Sequence, residues 1–361
     1  MRPPKTLCIA ALLLCTAIWA GAQIRTDWSV PYPRPLGEPA DTVEVFIIGD
    51  VMMHTRQLNY DCSTFLENIT PAIRRADIAV ANMEFPLGGR PYTGYPAFST
   101  PDYYAEYVKD CGVDVFLTAN NHVLDRGSRG LGRTLCVYDS LGVKYTGTAA
   151  DAAADTTLNP LIVSRKGISI ALVDFTYGTN AGSSSQWPLV NRQDKERISA
   201  QIRRARERGA DFVVALPHWG VEYDLHHSAT QESWARWLVS EGVDAIVGAH
   251  PHVVQDTTHI GGVPVIYSMG NAVSNMSATN TRCELAVTLR FVIDHTSGTR
   301  SMLEPQLQFM WCTLPGNLTG SYATIFIKEW ATRRTEWLIP SDFDNMVATW
   351  RRVKSATHIE D

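Results

Sequence analysis

Seven strand-like runs in this chain each end in residues that bind metal ions or handle protons. The runs lead into Gly49-Asp50-Val51-Met52-Met53-His54, Asn82-Met83-Glu84, Asn120-Asn121-His122-Val123-Leu124-Asp125, Asp174, Pro217-His218-Trp219-Gly220-Val221-Glu222, Gly248-Ala249-His250-Pro251-His252 and Ser268-Met269-Gly270-Asn271. Imidazole nitrogens and Asp, Glu or Asn oxygens suit divalent ions such as zinc, manganese or iron, and they are costly to bury unpaired, so a metal is the economical reason to gather them. His250 and His252 are two apart, which puts both on one face of an extended segment that Pro251 stiffens. A lone histidine is more often a hydrogen-bonded core or surface residue, but four separate strand ends carrying His or carboxylate argue for one shared site.

Such a site needs elements that aim these ends at one another. Val43 to Ile48 is a nearly continuous β-branched run, as expected of a strand buried on both faces, and Gly49 is expected to let the backbone turn Asp50 toward the sheet edge. Ile78 to Ala81, Val113 to Ala119, Ile168 to Val173, Phe212 to Leu216, Asp244 to Val247 and Val263 to Tyr267 repeat the pattern. Helical segments lie between several of them: Arg129 to Leu141, Asp194 to Arg208 and Ala229 to Glu241, closed by Gly142, Gly209 and Gly242. Strand and helix in alternation define an α/β protein whose site lies beyond the carboxyl ends of its strands. Cys283 to Ile293 reads as a long alternating strand with an antiparallel return near Gln306 to Leu314, and the spacing of Phe343, Met346, Trp350 and Val353 predicts a terminal helix.

Arg2 and Lys5 precede an apolar stretch from Leu7 to Trp19 that closes in Ala20-Gly21-Ala22, the pattern of an export leader cut after Ala22. The expected organisation is a signal peptide over 1–22, a Pro-rich extended arm over 23–40, a main domain over 41–340 and a C-terminal helix over 341–361. The location expected is the periplasm or cell envelope. Of the seven cysteines, Cys62, Cys111, Cys136, Cys283 and Cys312 follow the leader without CxxC spacing, so no zinc knuckle is expected; their odd number leaves at least one thiol free or paired between chains. A chain of 361 residues that is 45% hydrophobic, 19% charged and of formal net charge −5 is enzyme-sized, and its charge gives no electrostatic case for nucleic acid as a partner.

Six blocks, taken in order, carry a resemblance: Gly49 to Met53, Ala81 to Leu87, Thr118 to Gly127, His218 to Tyr223, Gly248 to Gln255 and Tyr267 to Asn271. Together they resemble the signatures of the CapA-type capsule (poly-gamma-glutamate) synthesis family from about Val43 to Asn275. That family is similar to the calcineurin-like metallophosphoesterases. The resemblance implies a four-layered α/β/β/α sandwich with a two-metal site at the strand ends. Carried over residue by residue, it implies metal ligands at Asp50, Glu84 (the bridging carboxylate), Asn121, His218, His250 and His252, and a general acid at His122 oriented by Asp125. Two close cations need a shared carboxylate between them and together favour hydrolysis.

The chain departs from the hydrolytic pattern at Met52, where a histidine ligand is expected and a thioether is a poor ligand for a hard ion. His54, Glu222, Asn82 and Asn271 are the candidate additional ligands, and Arg56 and Arg126 the candidate substrate-binding cations. The expectation is an envelope metal-dependent hydrolase with one or two ions (Mn, Zn or Fe). It would act on an anionic polymer or phosphorylated substrate beside membrane capsule-synthesis partners. The competing expectation is a non-catalytic subunit of a capsule assembly with a degenerate site.

Overall fold

The computed structural model describes residues 40–182 and 186–360. The leader and nearly all of the Pro-rich arm lie outside the described residues. The strands are β1 (Ala40–Val51), β2 (Ile78–Met83), β3 (Val115–Leu117), β4 (Lys144–Thr146), β5 (Thr148–Ala149), β6 (Leu161–Arg165), β7 (Ile168–Thr176) and β8 (Leu189–Val190). They continue with β9 (Phe212–His218), β10 (Ala245–Val247), β11 (Thr257–Ile260), β12 (Val263–Ile266), β13 (Asn271–Val273), β14 (Cys283–Asp294), β15 (Arg300–Thr313) and β16 (Ala323–Phe326). The helices are α1 (Thr70–Arg75), α2 (Asp102–Asp110), α3 (Gly127–Leu141), α4 (Ala152–Leu158), α5 (Lys195–Glu207), α6 (Ala229–Ser240), α7 (Ile327–Trp330) and α8 (Pro340–Thr357).

One sheet runs β16-β15-β14-β1-β2-β3-β4, with β13 also pairing β1, and the other runs β11-β12-β10-β9-β7-β6. Alternation along the strands explains why the sheets stack. Val43, Val45 and Ile47 of β1, Ile78 and Val80 of β2, Ile170 and Leu172 of β7, and Val214 and Leu216 of β9 share one core between the sheets. The opposite faces are covered by helices. Phe46 and Ile48 of β1 and Ala79 and Ala81 of β2 pack with Ile73 of α1, Tyr104 and Val108 of α2, and Leu131 and Leu135 of α3. Val173 of β7 and Val213 of β9 pack with Ile198 and Ile202 of α5 and Leu238 of α6. The layers are therefore α/β/β/α, and strands buried on both faces are continuously apolar for that reason. Helix α8 adds Phe343, Met346 and Val353 to the inter-sheet core beside β14.

The strand order reverses at β1: β2, β3 and β4 follow it on one side, and the later β13 and β14 lie on the other. A reversal of this kind opens a crevice beyond the strand's carboxyl end, which is where Asp50 stands. Gly49 serves a close approach rather than a turn, because a Cβ there would meet the Gly270 carbonyl oxygen at 1.9 Å. That room lets Asp50 N donate to Gly270 O at 3.1 Å and brings β13 alongside, with Asp50 opposite Asn271. The third strand is shorter than its apolar run, because the Thr118 and Ala119 amides donate to the Asp174 carboxylate at 2.8 and 2.9 Å. Conversely, β15 begins at Arg300, before its apolar part, because its first half is largely solvent-facing. Cys62, Cys111, Cys136 and Cys312 carry free thiols.

Candidate metal centre

Five chain segments converge at the strand ends. Asp50 closes on the segment carrying His250 and His252: the His250 amide donates to its Oδ2 at 3.3 Å, and His252 Nδ1 lies 3.3 Å from the same oxygen. Glu84, just past β2, places Oε1 3.7 Å from His218 Nε2 and 3.9 Å from His252 Nε2. His218, the last residue of β9, meets Asn121 Oδ1 through Nε2 at 2.9 Å. Ligand atoms of Glu84, His250 and His252 all lie within 4.8 Å of one another. Asp50, Glu84, Asn121, His218, His250 and His252 are all buried, so the structure brings together the six residues carried over as ligands.

Whether this set suits a cation is decided by its unpaired atoms. Both Glu84 carboxylate oxygens and His250 Nδ1 are buried without a hydrogen-bond partner among the described residues. Buried polar atoms are nearly always paired, and these lie within a mixed N/O donor set that fits a divalent ion. His250 also holds φ at 102° and His252 at 58°, a left-handed backbone that non-glycine residues adopt at about 1–3 kcal/mol each, concentrated at functional sites.

The local electrostatics follow the same division. Burial works to raise Asp50, but the hydrogen-bonded His252 ring, His218 and Asn82 bring it down to about 2. Glu84 moves the other way: burial, reinforced by the Asp50 charge, holds its carboxyl well above the usual range. Burial lowers His218 to about 3 and pushes His250, with His218 and His252 beside it, well below the usual value. His252 is raised, since Asp50 outweighs its burial. Neutral imidazole is the form that ligates a metal ion.

Orienting groups surround this set. Asn271 Oδ1 meets His252 Nδ1 at 2.9 Å while its Nδ2 donates to Thr281 O at 2.8 Å, which turns the other His252 nitrogen toward Glu84. Asn82 donates to Asp50 Oδ1 at 2.6 Å and accepts from Asn120 Nδ2 at 3.3 Å. Asn82 and Asn271, candidate extra ligands from sequence, thus have their amide oxygens committed to neighbours. His122 Nδ1 meets Asp125 Oδ2 at 2.7 Å, the same oxygen that accepts the Phe98 amide at 2.8 Å.

The remaining candidates divide. Met52 is buried in the core beneath the helices α1 to α3. His54 has Nδ1 3.1 Å from Gln57 Oε1 and 3.3 Å from the Asn275 amide, and burial lowers it to about 4. It lies outside the compact ligand group. Glu222 is exposed at the rim, and Arg56 is exposed on the turn after β1. Arg126 is half-buried, and its Nη2 donates to the Thr93 hydroxyl and the Ala97 carbonyl. Asp174 is likewise a support for the loop that carries Asn121 and His122, not a member of the cluster. Sequence reasoning missed Gln57 and Asn180, whose Nδ2 is 3.4 Å from His122 Nε2; neither sits in a strand-end motif, so nothing local marks them.

Two stacked sheets between helices, with histidines and carboxylates gathered at one edge, define a four-layered α/β/β/α sandwich. The chain belongs to the bacterial capsule synthesis protein family PGA_cap, whose model matches residues 44–276. It is 28% identical to the capsule biosynthesis protein CapA of Bacillus anthracis over 289 residues, covering 76% of this chain and 68% of that protein. It is also 28% identical to the PGA biosynthesis protein CapA of Bacillus subtilis (strain 168) over 288 residues, with 76% and 72% covered. Among solved structures it is similar to a 5'-nucleotidase precursor from Thermus thermophilus, with a TM-score of 0.47 at 13% identity, covering 87% of this chain and 59% of that one.

Proposed function

We propose that this chain is a metal-dependent hydrolase of the cell envelope that cleaves a phosphoester during the synthesis, export or processing of capsular polymer. The observation that carries this reading is the group of buried, unpaired donor atoms on Glu84 and His250 beside His252. Asp50, Glu84, His250 and His252 would hold the ion, with Asn121 and His218 on the adjoining side. A divalent ion there supplies Lewis acidity toward a phosphoryl oxygen. His122, held through Nδ1 by Asp125, would serve as the proton donor to a departing oxygen. Capsule-related relatives and the leader read in the sequence support the envelope location and a working partnership with membrane capsule-synthesis proteins. No helix of the described residues is long and apolar enough to cross a membrane.

The test is to purify the full chain, reconstitute it with manganese or zinc, measure bound metal by mass spectrometry and assay bis(p-nitrophenyl) phosphate with and without chelator. Retained metal with chelator-sensitive turnover is expected; a metal-free protein after reconstitution ends the reading. Met52, which stands at the sequence position where the resemblance expects a histidine and is buried in the core beneath α1 to α3, favours a second reading: a non-catalytic subunit that keeps the cluster for binding alone. Full metal occupancy without turnover of any phosphoester, and an in vivo phenotype unchanged by His250→Ala, would select it.

A further inference from the structure

The mouth of the cluster is lined by side chains with no part in holding an ion. Tyr177, Tyr223 and Tyr95 are 45%, 46% and 70% exposed, yet each lies against a different histidine of the site. Their ring centroids are 4.6 Å from His250, 6.3 Å from His252 and 6.3 Å from His122, respectively. Three partly exposed rings from three separate segments thus lie against the histidines of one site.

The backbones that present them are fixed. The Tyr177 amide donates to His218 O at 3.0 Å and the Tyr223 amide to Pro251 O at 2.8 Å, so both are tied to ligand-bearing segments. Tyr223 holds φ at 69°, a left-handed conformation that a bulky residue keeps only when its surroundings impose it. Tyr95 sits between the Thr93 and Ala97 acceptors that Arg126 clamps, and the Phe98 amide ties the same loop to Asp125. Exposed Glu222 directly precedes Tyr223 and brings a carboxylate beside that ring.

We infer that this collar is a binding subsite for an ammonium group, so that the site takes a zwitterionic phosphoester with its phosphoryl oxygens at the histidine cluster and its cationic end against Tyr177, Tyr223, Tyr95 and Glu222. The inference rests on the reading that the cluster holds a divalent ion. Aromatic faces carry negative charge density and attract a cation within about 6 Å of the ring centroid, and a neighbouring carboxylate adds to that field. The same field opposes a chain that carries a carboxylate on every residue. Arg126, which would reverse the sign of the mouth, is held in the loop below Tyr95.

Phosphocholine and its uncharged isostere 3,3-dimethylbutyl phosphate separate the charge from the shape. Titrated calorimetrically into the metal-loaded full chain, phosphocholine is expected to bind roughly three- to thirty-fold more tightly than the isostere. Glu222→Gln, Tyr177→Leu and Tyr223→Leu should each reduce that ratio, whereas Tyr103→Leu, an exposed tyrosine on α2, should leave it unchanged. Equal binding of the two probes, tighter binding of the isostere, or binding of neither by protein that retains its metal overturns the collar. A preserved ratio without phosphodiester turnover would remove the hydrolase reading and leave the collar standing, and turnover with a ratio of one would do the reverse.

Discussion

Glu84 and Glu284 make an instructive pair. Both are buried on strands or strand ends of the same sheet, both have two carboxylate oxygens without a hydrogen-bond partner among the described residues, and burial raises both well above the usual range. Their surroundings differ. Glu84 stands among His218, His250 and His252, with ring nitrogens at 3.7 and 3.9 Å from Oε1. Glu284, on β14 opposite Met310, lies near Cys312, and Arg282, two positions before it, is bound bidentately to Asp342 at 2.7 Å for both contacts. A buried, unpaired carboxylate therefore does not by itself mark a candidate metal site; Glu84 is set apart by the imidazoles that converge on it.

The contrast can be broken most directly by removing each carboxylate charge. Glu84→Gln should empty the metal site and take chelator-sensitive turnover below detection, while Glu284→Gln should leave metal content intact; equal metal loss from both, by mass spectrometry, would erase the distinction. His122→Ala should lower kcat by about 10²–10⁴-fold with metal retained, as expected for a proton donor outside the ligand set. If its metal falls as well, His122 belongs with Glu84. Asn271→Ala, which leaves His252 Nδ1 with Asp50 as its remaining partner, should weaken metal affinity by about 10–100-fold in a competition titration with a chelating dye. An unchanged affinity would mean that Asn271 does not orient His252.

The smallest effect concerns Glu284 and pH. Its folded-state value lies above the ordinary value of about 4.3, so the native state binds the extra proton in that interval. Its contribution is fully present below about 4.3 and is lost as pH rises through the interval toward the folded value. Glu284→Gln should flatten that fall and, at neutral pH, raise stability by about 1–3 kcal/mol in urea unfolding of the chelated protein. A variant with the same slope as the parent would show that Glu284 finds a partner in solution.

Much of the scaffold was legible in the residues. Val43 to Ile48 and Phe212 to Leu216 read as buried strands because both of their faces are covered, and Gly142 marks the end of α3 because it sits at φ 66°. The short elements were not legible. The six residues of α1 and the three of β4 hold too few positions for a periodicity and depend on the sheet they pack against or pair with. The part played by Arg126 was hidden for a similar reason. Its two acceptors, Thr93 and Ala97, lie about thirty positions earlier in a loop without regular pattern.

The sequence by itself determined which groups are available for chemistry and that they end strands, because residue types and the two-residue period are local properties. It also carried the family, through six ordered blocks. Only the tertiary structure decided which groups face one another. The reversal of strand order at β1, the close approach of Gly49 to Gly270 and the stacking of two sheets bring Asp50 and His250, 200 positions apart in sequence, to a 3.3 Å hydrogen bond. Convergence of that kind is a property of how layers pack, and no single segment encodes it.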